Sequence, residues 1–216
     1  MTENLTIRPY RPEDRAVLRR ICCDTADQGS PVENFLNDCE LVADFVTRYY
    51  TDFEPGSSWV AEVDGKVVGY LTATLDTHRQ QRITNWRIAP MAILKAIWRG
   101  TLFRTETWRL FHALLKSAQG LLNRNIDFPR YPAHFHVDIL DGHRGLHIGQ
   151  KLVDVLLDFL RHHQCPGVHA SVRGSNAPAC AFFERMGFSR GSTFSIYVPK
   201  KGTIQHVTNI IFARAI

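Results

Sequence analysis

Several features are scarce in this chain, and each scarcity removes a class of function. No apolar run approaches the roughly 20 residues that span a bilayer, so neither a membrane-embedded protein nor a membrane partner is expected. The opening residues Met1-Thr2-Glu3-Asn4-Leu5-Thr6 lack the basic-then-apolar layout of a secretory leader, and a cytoplasmic location is the simplest reading. The five cysteines, Cys22, Cys23, Cys39, Cys165 and Cys180, are odd in number and without CxxC spacing. Neither a disulfide framework nor a zinc knuckle is indicated, and reduced, mostly buried thiols are expected. No internal repeat or low-complexity tract is visible. The formal charge is +5 with a pI of about 9.1, yet no dense Lys/Arg run or aromatic-basic motif accompanies it. Nucleic acid is therefore not expected as a partner, and the phosphates of a small cofactor suit this charge better.

What is present is enough for one large domain: 216 residues, 44% of them hydrophobic and 22% charged. Leu5 to Tyr10 reads as a first strand, and Pro12-Glu13-Asp14 opens a helix with acids in its first turn. A second helix is expected around Glu40 to Tyr50, with Leu41, Phe45 and Tyr49 on one face. Ser58 to Val63 and Lys66 to Leu75 flank Asp64-Gly65, a two-residue hairpin connection, and their alternation implies a sheet buried mostly on one face. The last third reads strand (Phe135 to Leu140), helix (Ile148 to Arg161), strand (Val168 to Val172), helix (Pro178 to Met186), then two strands, Thr193 to Val198 and Gln205 to Ala213. Residues 85–130 break this α/β rhythm as a basic, Trp-containing helical insertion. Its stripe Trp108, Phe111, Leu115, Ala118 and Leu122 is expected to pack onto the domain, with an acceptor wall, a second subunit or a membrane surface as alternatives.

The most informative stretch runs from Val137 to Leu152. A β-branched strand leads through Asp141-Gly142-His143-Arg144-Gly145-Leu146-His147 into an apolar-periodic helix beginning at Ile148. That order leaves unpaired backbone N–H groups at a helix N-terminus, a cradle for phosphate or pyrophosphate. Gly145 and Gly149 let the backbone approach such a group, and Arg144 or Gln150 can add a charge or a side-chain hydrogen bond.

Arg144-Gly145-Leu146-His147-Ile148-Gly149 resembles the Arg/Gln-x-x-Gly-x-Gly/Ala acetyl-CoA signature of the GNAT superfamily of N-acetyltransferases. Asn176-Ala177-Pro178-Ala179-Cys180-Ala181-Phe182-Phe183-Glu184-Arg185-Met186-Gly187-Phe188 is similar to that family's second signature. Tyr131-Pro132-Ala133-His134-Phe135-His136 is also similar to the acetyltransferase-like domain of O-GlcNAc hydrolases and its bacterial relatives. The resemblance covers most of the chain outside residues 85–130. It implies the GNAT fold, an α/β architecture with a mixed central β-sheet flanked by helices, as a single domain over residues 1–216 that carries the 85–130 insertion. It also implies acetyl-CoA as cofactor and a primary amine, of unidentified kind, as acceptor. A non-catalytic module that binds acyl-CoA is the alternative, and a homodimer is compatible with either.

The resemblance places the cofactor's pantetheine between the strands Phe135–Leu140 and Val168–Val172, paired with backbone groups of Val137 and Ile139. The amides of Gly145, Leu146, His147, Ile148 and Gly149 would hold the pyrophosphate, with Asn176 and Phe183 contributing from the last helix. Two departures stand out. His147 occupies a position where the family has glycine, so its Cβ narrows the loop unless the side chain turns outward. Phe183 replaces the tyrosine that often protonates the departing thiolate.

His134, His136 and Asp138 alternate along the cofactor strand and leave one face of it. His136 or Asp138 is the candidate base, with His134 in relay. A buried His–Asp pair that merely fixes the strand is the competing reading. No metal is expected, since ligands at i, i+2 spacing lack a second anchored pair.

Overall fold

The computed structural model describes residues 4–27, 29–32, 38–101, 104–143, 145–200 and 203–216. Its centre is a seven-stranded sheet in the order β1-β2-β3-β4-β5-β7-β6. The strands are β1 (Leu5–Pro9), β2 (Ser58–Val63), β3 (Lys66–Thr74), β4 (Ala133–Ile139), β5 (Gly167–Arg173), β6 (Ser189–Lys200) and β7 (Thr203–Ala215). All neighbours are antiparallel except β4 and β5. The β2–β3 hairpin turns through Asp64 and Gly65, both left-handed at φ 48° and 78°, the pairing whose twist suits two-residue hairpins.

Among the described residues, seven α-helices flank the sheet: α1 (Arg15–Thr25), α2 (Cys39–Asp52), α3 (Thr77–Ile83), α4 (Ala89–Trp98), α5 (Thr105–Leu122), α6 (Ile148–His162) and α7 (Ala177–Arg185). On one side, Trp59, Ala61, Leu71, Ala73 and Phe135 pack with Ile148, Leu152, Leu156 and Leu160 of α6. On the other, Val60 and Tyr70 meet Leu18, Ile21 and Cys22 of α1. The β2–β3 ribbon is therefore buried on both faces, contrary to the one-sided burial its alternation implies, because α1 and α2 cover the second face.

α2 also departs from expectation. Leu41 and Tyr49 are buried as expected, but Phe45 is exposed, and the inward side also takes in Ala43, Asp44, Thr47, Tyr50 and Thr51. Asp44 accepts from Arg19 of α1 (2.8 Å) and Lys95 of α4 (3.1 Å), tying three helices together. Contrary to expectation, the cysteines are not all reduced. Cys23 and Cys39 are joined in a disulfide that links α1 to α2, while Cys22, Cys165 and Cys180 are free and buried.

The insertion begins at Thr77 rather than near residue 85, running through α3, a π-turn at Thr84–Ile88, α4 and α5. It docks by its smallest residues. Ala92 and Ala96 pack on Cys23, Leu41 and Ala43. Ser117 accepts the N–H of Tyr197 at 2.7 Å, and the missing Cβ of Gly120 lets α5 lie directly on the Ser195 carbonyl of β6. The stripe expected to pack inward instead faces outward, with Trp108, Leu115 and Leu122 exposed.

Candidate active site

β4 and β5 pair only at Ala133–Val168 and His134–His169, and beyond that point they diverge while each stays bonded to its other neighbour. The result is a wedge in mid-sheet whose walls carry unpaired backbone. Which groups face it follows from strand alternation. Leu140 donates its N–H to Val68 of β3. Residues two and four earlier share that direction, so the N–H and C=O groups of Phe135, Val137 and Ile139 point into the wedge. Val137 and Ile139 thus have the orientation that an extended ligand chain needs to add itself as a strand.

At the wide end of the wedge, β4 runs into the loop 140–147 and then α6. Gly142 and Gly145 take φ of 91° and 90°, and His147, the residue before α6, sits at φ 57° and ψ 17°. Among the described residues, the amides of Gly145, Leu146, His147, Ile148, Gly149 and Gln150 have no protein acceptor. They form a concave donor surface at the positive end of α6. Gly149 lies under the Phe182 ring and the Ile139 side chain, where an added Cβ would come within 3.3 Å of the ring and crowd the first turn of α6. Arg144 lies outside the described residues.

His147 therefore holds a backbone conformation that favours glycine, with its side chain turned to solvent. His147→Gly should remove the left-handed strain while loosening the unfolded chain, for a net stabilisation of about 0.5–1 kcal/mol. Urea unfolding at constant m-value measures this. A loss of stability would mean that the imidazole makes a contact the folded chain needs.

The side chains of His134, His136 and Asp138 leave β4 on the face covered by α1 and α2, together but in three different states. His134 is fixed at both nitrogens. Thr77 donates its hydroxyl to the Pro132 carbonyl at 2.7 Å, so its remaining contact, 2.9 Å to His134 Nδ1, accepts the imidazole proton. Nε2 is then the acceptor for the Tyr50 hydroxyl at 2.6 Å. Burial first, and then the cost of charging it beside His136 and His169, hold the pKa of this ring well below the usual value.

Asp138 accepts the Tyr70 hydroxyl at 2.6 Å. Tyr70 is fully buried, and burial first, then the Asp138 charge, raises its pKa far above the ordinary phenol value. Cys22 of α1 completes the cluster, its thiol pushed up to about 12 by burial and the nearby carboxylate.

His136 differs from both. No hydrogen bond holds either of its nitrogens among the described residues, and its ring is solvent-accessible. The rings of Tyr50 and His134 stand edge-on to it at 5.8 and 5.7 Å and shield one side. Desolvation, followed by the field of His169, lowers its pKa to about 4. Water at the open face limits that depression without reversing it. His169 donates from Nδ1 to the Tyr131 carbonyl at 2.9 Å and is also held below its usual pKa, mainly by burial.

The last helix carries the remaining candidates. The Asn176 side chain accepts the Ala179 N–H at 3.1 Å and so caps α7. Phe183 is buried against Phe135, Phe182, Phe188 and Phe212, a core position. Gln150 is exposed on the first turn of α6. Sequence reasoning missed Tyr50, Tyr70, Thr77, Cys22 and His169. Their contacts span up to 84 positions of chain, and none lies in a motif.

The comparisons with known proteins agree with this geometry. Residues 122–188 match the model of the acetyltransferase (GNAT) family. The solved structure of SsHAT is 27% identical over 98% of both chains, with a TM-score of 0.73. A ribosomal-protein-alanine N-acetyltransferase from Brucella melitensis (18% identity, 98% of this chain and 99% of that one, TM-score 0.59) shares the fold. So does yncA from Salmonella typhimurium, solved with its cofactor acetyl-CoA (17%, 98% and 93%, 0.58). With a wedge between β4 and β5, a donor-lined turn before α6 and a matched segment that contains both, the chain has the GNAT fold and is similar to the acetyltransferases of that family.

Proposed function

We propose that the protein is an acetyl-CoA-dependent N-acetyltransferase that acetylates a primary amine by direct attack in a ternary complex. The observation that carries this reading is the wedge, which sets free backbone groups of Val137 and Ile139 beside a free, neutral imidazole at His136. The chain's donors fit the cofactor: amides 145–150 suit a pyrophosphate, and the exposed odd-numbered backbone of β4 suits a pantetheine. When bound, acetyl-CoA supplies an acetyl group already activated as a thioester.

The protein's own tasks are to align the amine, stabilise the carbonyl oxygen and take away a proton. The Val137 N–H points into the wedge and can donate to that oxygen. His136 would accept the proton from the attacking amine nitrogen. His134 cannot join a relay without giving up Tyr50 or Thr77, so it acts as a positioning residue. Asp138 is engaged by Tyr70 and takes the same supporting role on the other side.

A base held below the ordinary imidazole pKa is a poor match for a lysine-like ammonium near pKa 10.4 and a better one for an α-amino group near 8 or an arylamine. Weakly basic amines are accordingly the favoured acceptors. Release of coenzyme A thiol across a panel of arylamines, amino-terminal peptides and lysine analogues tests this, with intersecting initial-velocity lines expected for a ternary complex.

Phe183 favours one second reading, a non-catalytic acyl-CoA-binding module, because it cannot protonate a thiolate. A thiol pKa near about 8.5 makes departure without an acid tolerable. Tight coenzyme A binding with no thiol release for any amine would establish that module and end the enzyme reading.

A further inference from the structure

α4 and α5 invert the usual pattern of a surface helix. Each turns its small residues inward, Ala92 and Ala96 on α4 and Ala113, Ser117 and Gly120 on α5, and its large apolar residues outward. Met91, Leu94, Ile97 and Trp98 share the face of α4 opposite the buried alanines. Trp108, Leu115 and Leu122 repeat at seven-residue spacing along the outer face of α5. The exposure is large: Trp98 86%, Leu122 84%, Trp86 80%, Leu115 76% and Trp108 62%. Three of the chain's four tryptophans are on this insertion, and only Trp59 is in the core. Isolated apolar residues on a surface are ordinary, but two consecutive helices that each present a stripe of them are not.

Charge identifies the occupant. From Thr77 to Arg124 the chain carries nine Lys and Arg and a single carboxylate, Glu106. Lys95 and Arg99 are tied to Asp44 and Asp38. Arg79, Arg82, Arg87, Arg104, Arg109 and Lys116 have no carboxylate partner among the described residues. A two-fold pairing of this face with itself would set cation against cation. A nucleic acid would take up the cations but leave Met91, Leu94, Ile97 and Leu115 facing water. A bilayer rich in anionic lipid satisfies both demands, because Trp and Leu enter the headgroup and acyl boundary while Arg and Lys meet the phosphates.

We propose that the α3–α5 insertion docks this protein on the surface of an anionic lipid bilayer, with α4 and α5 lying at the interface. No helix among the described residues is long and apolar enough to cross a membrane, so the association is peripheral. This placement is independent of the acyl-transfer reading.

Tryptophan emission and co-sedimentation of the full chain with vesicles of phosphatidylcholine, with and without phosphatidylglycerol, test it. Binding to the anionic vesicles only, with a blue shift and weakening in salt, is expected. Arg82→Gln with Arg87→Gln should weaken binding by about thirtyfold, at roughly fivefold per cation. Trp98→Ser with Leu115→Ser should abolish the blue shift. All four sites are exposed, and circular dichroism verifies that the variants remain folded. Equal binding to neutral vesicles, or none to anionic ones, would overturn the proposal. So would a dimer in sedimentation velocity that the Trp98/Leu115 variant splits and that does not bind vesicles.

Discussion

Replacing His136 with alanine should lower kcat for acyl transfer by roughly 10²–10⁴-fold and leave coenzyme A affinity unchanged. The two effects separate because the groups that suit the cofactor are backbone atoms, the amides of residues 145–150 and the wedge-facing groups of Val137 and Ile139, which deletion of the His136 side chain leaves in place. The pH profile adds a second readout. An imidazole held below its ordinary pKa is already in its basic form across the neutral range. The pH at which the wild-type rate falls should then follow the pKa of the acceptor amine and move when the acceptor is changed, instead of staying near the ordinary histidine value. His134→Gln is the contrasting variant. It leaves Tyr50 or Thr77 with a poorer partner in a buried setting, so its main effect should be on stability. If His136→Ala turned over acceptors at the wild-type rate, the assignment of the base would be wrong even with the cofactor reading intact.

The largest stability effect is expected at a residue outside the wedge. Asp44→Ala should cost about 1–3 kcal/mol of unfolding free energy, because it removes the buried acceptor that Arg19 and Lys95 share, while Arg19 keeps Glu40 and Lys95 keeps access to water. Asp44 is 1% exposed and Arg19 is largely covered. Burial alone would raise the Asp44 pKa, and the hydrogen bonds from Lys95 and Arg19 more than reverse this, so the carboxyl stays ionised. The consequence extends beyond stability. Asp44 connects α1, α2 and α4, and α2 also carries Tyr50 against His134 and His136. Loosening that junction should therefore raise the KM for the amine acceptor more than it changes coenzyme A affinity. Denaturant unfolding with initial-rate kinetics checks both parts. A loss below about 1 kcal/mol would show that the network behaves as an ordinary surface ion pair.

What was legible in the sequence was local. The donor-lined turn could be read from a strand, two glycines and an apolar-periodic helix within a few residues of each other. The β2–β3 hairpin could be read from Asp64-Gly65, and the shared face of His134, His136 and Asp138 from the period of a strand. The division of labour among those three side chains was not legible. It depends on Tyr50 and Thr77 reaching His134, and on Tyr70 reaching Asp138, from segments separated by long stretches of chain. Periodicity placed Leu41 and Tyr49 of α2 inward but also Phe45, which is exposed, because the buried side is shared with Asp44, Thr47 and Thr51, polar residues that only their partners make compatible with burial. It also misjudged α4 and α5, where apolar spacing correctly gave a helical stripe but not the direction in which it points. Helical period determines which residues share a face. Which face is covered is decided by close approach at Ala92, Ala96, Ser117 and Gly120, where small side chains let backbone meet backbone and leave the large ones outside.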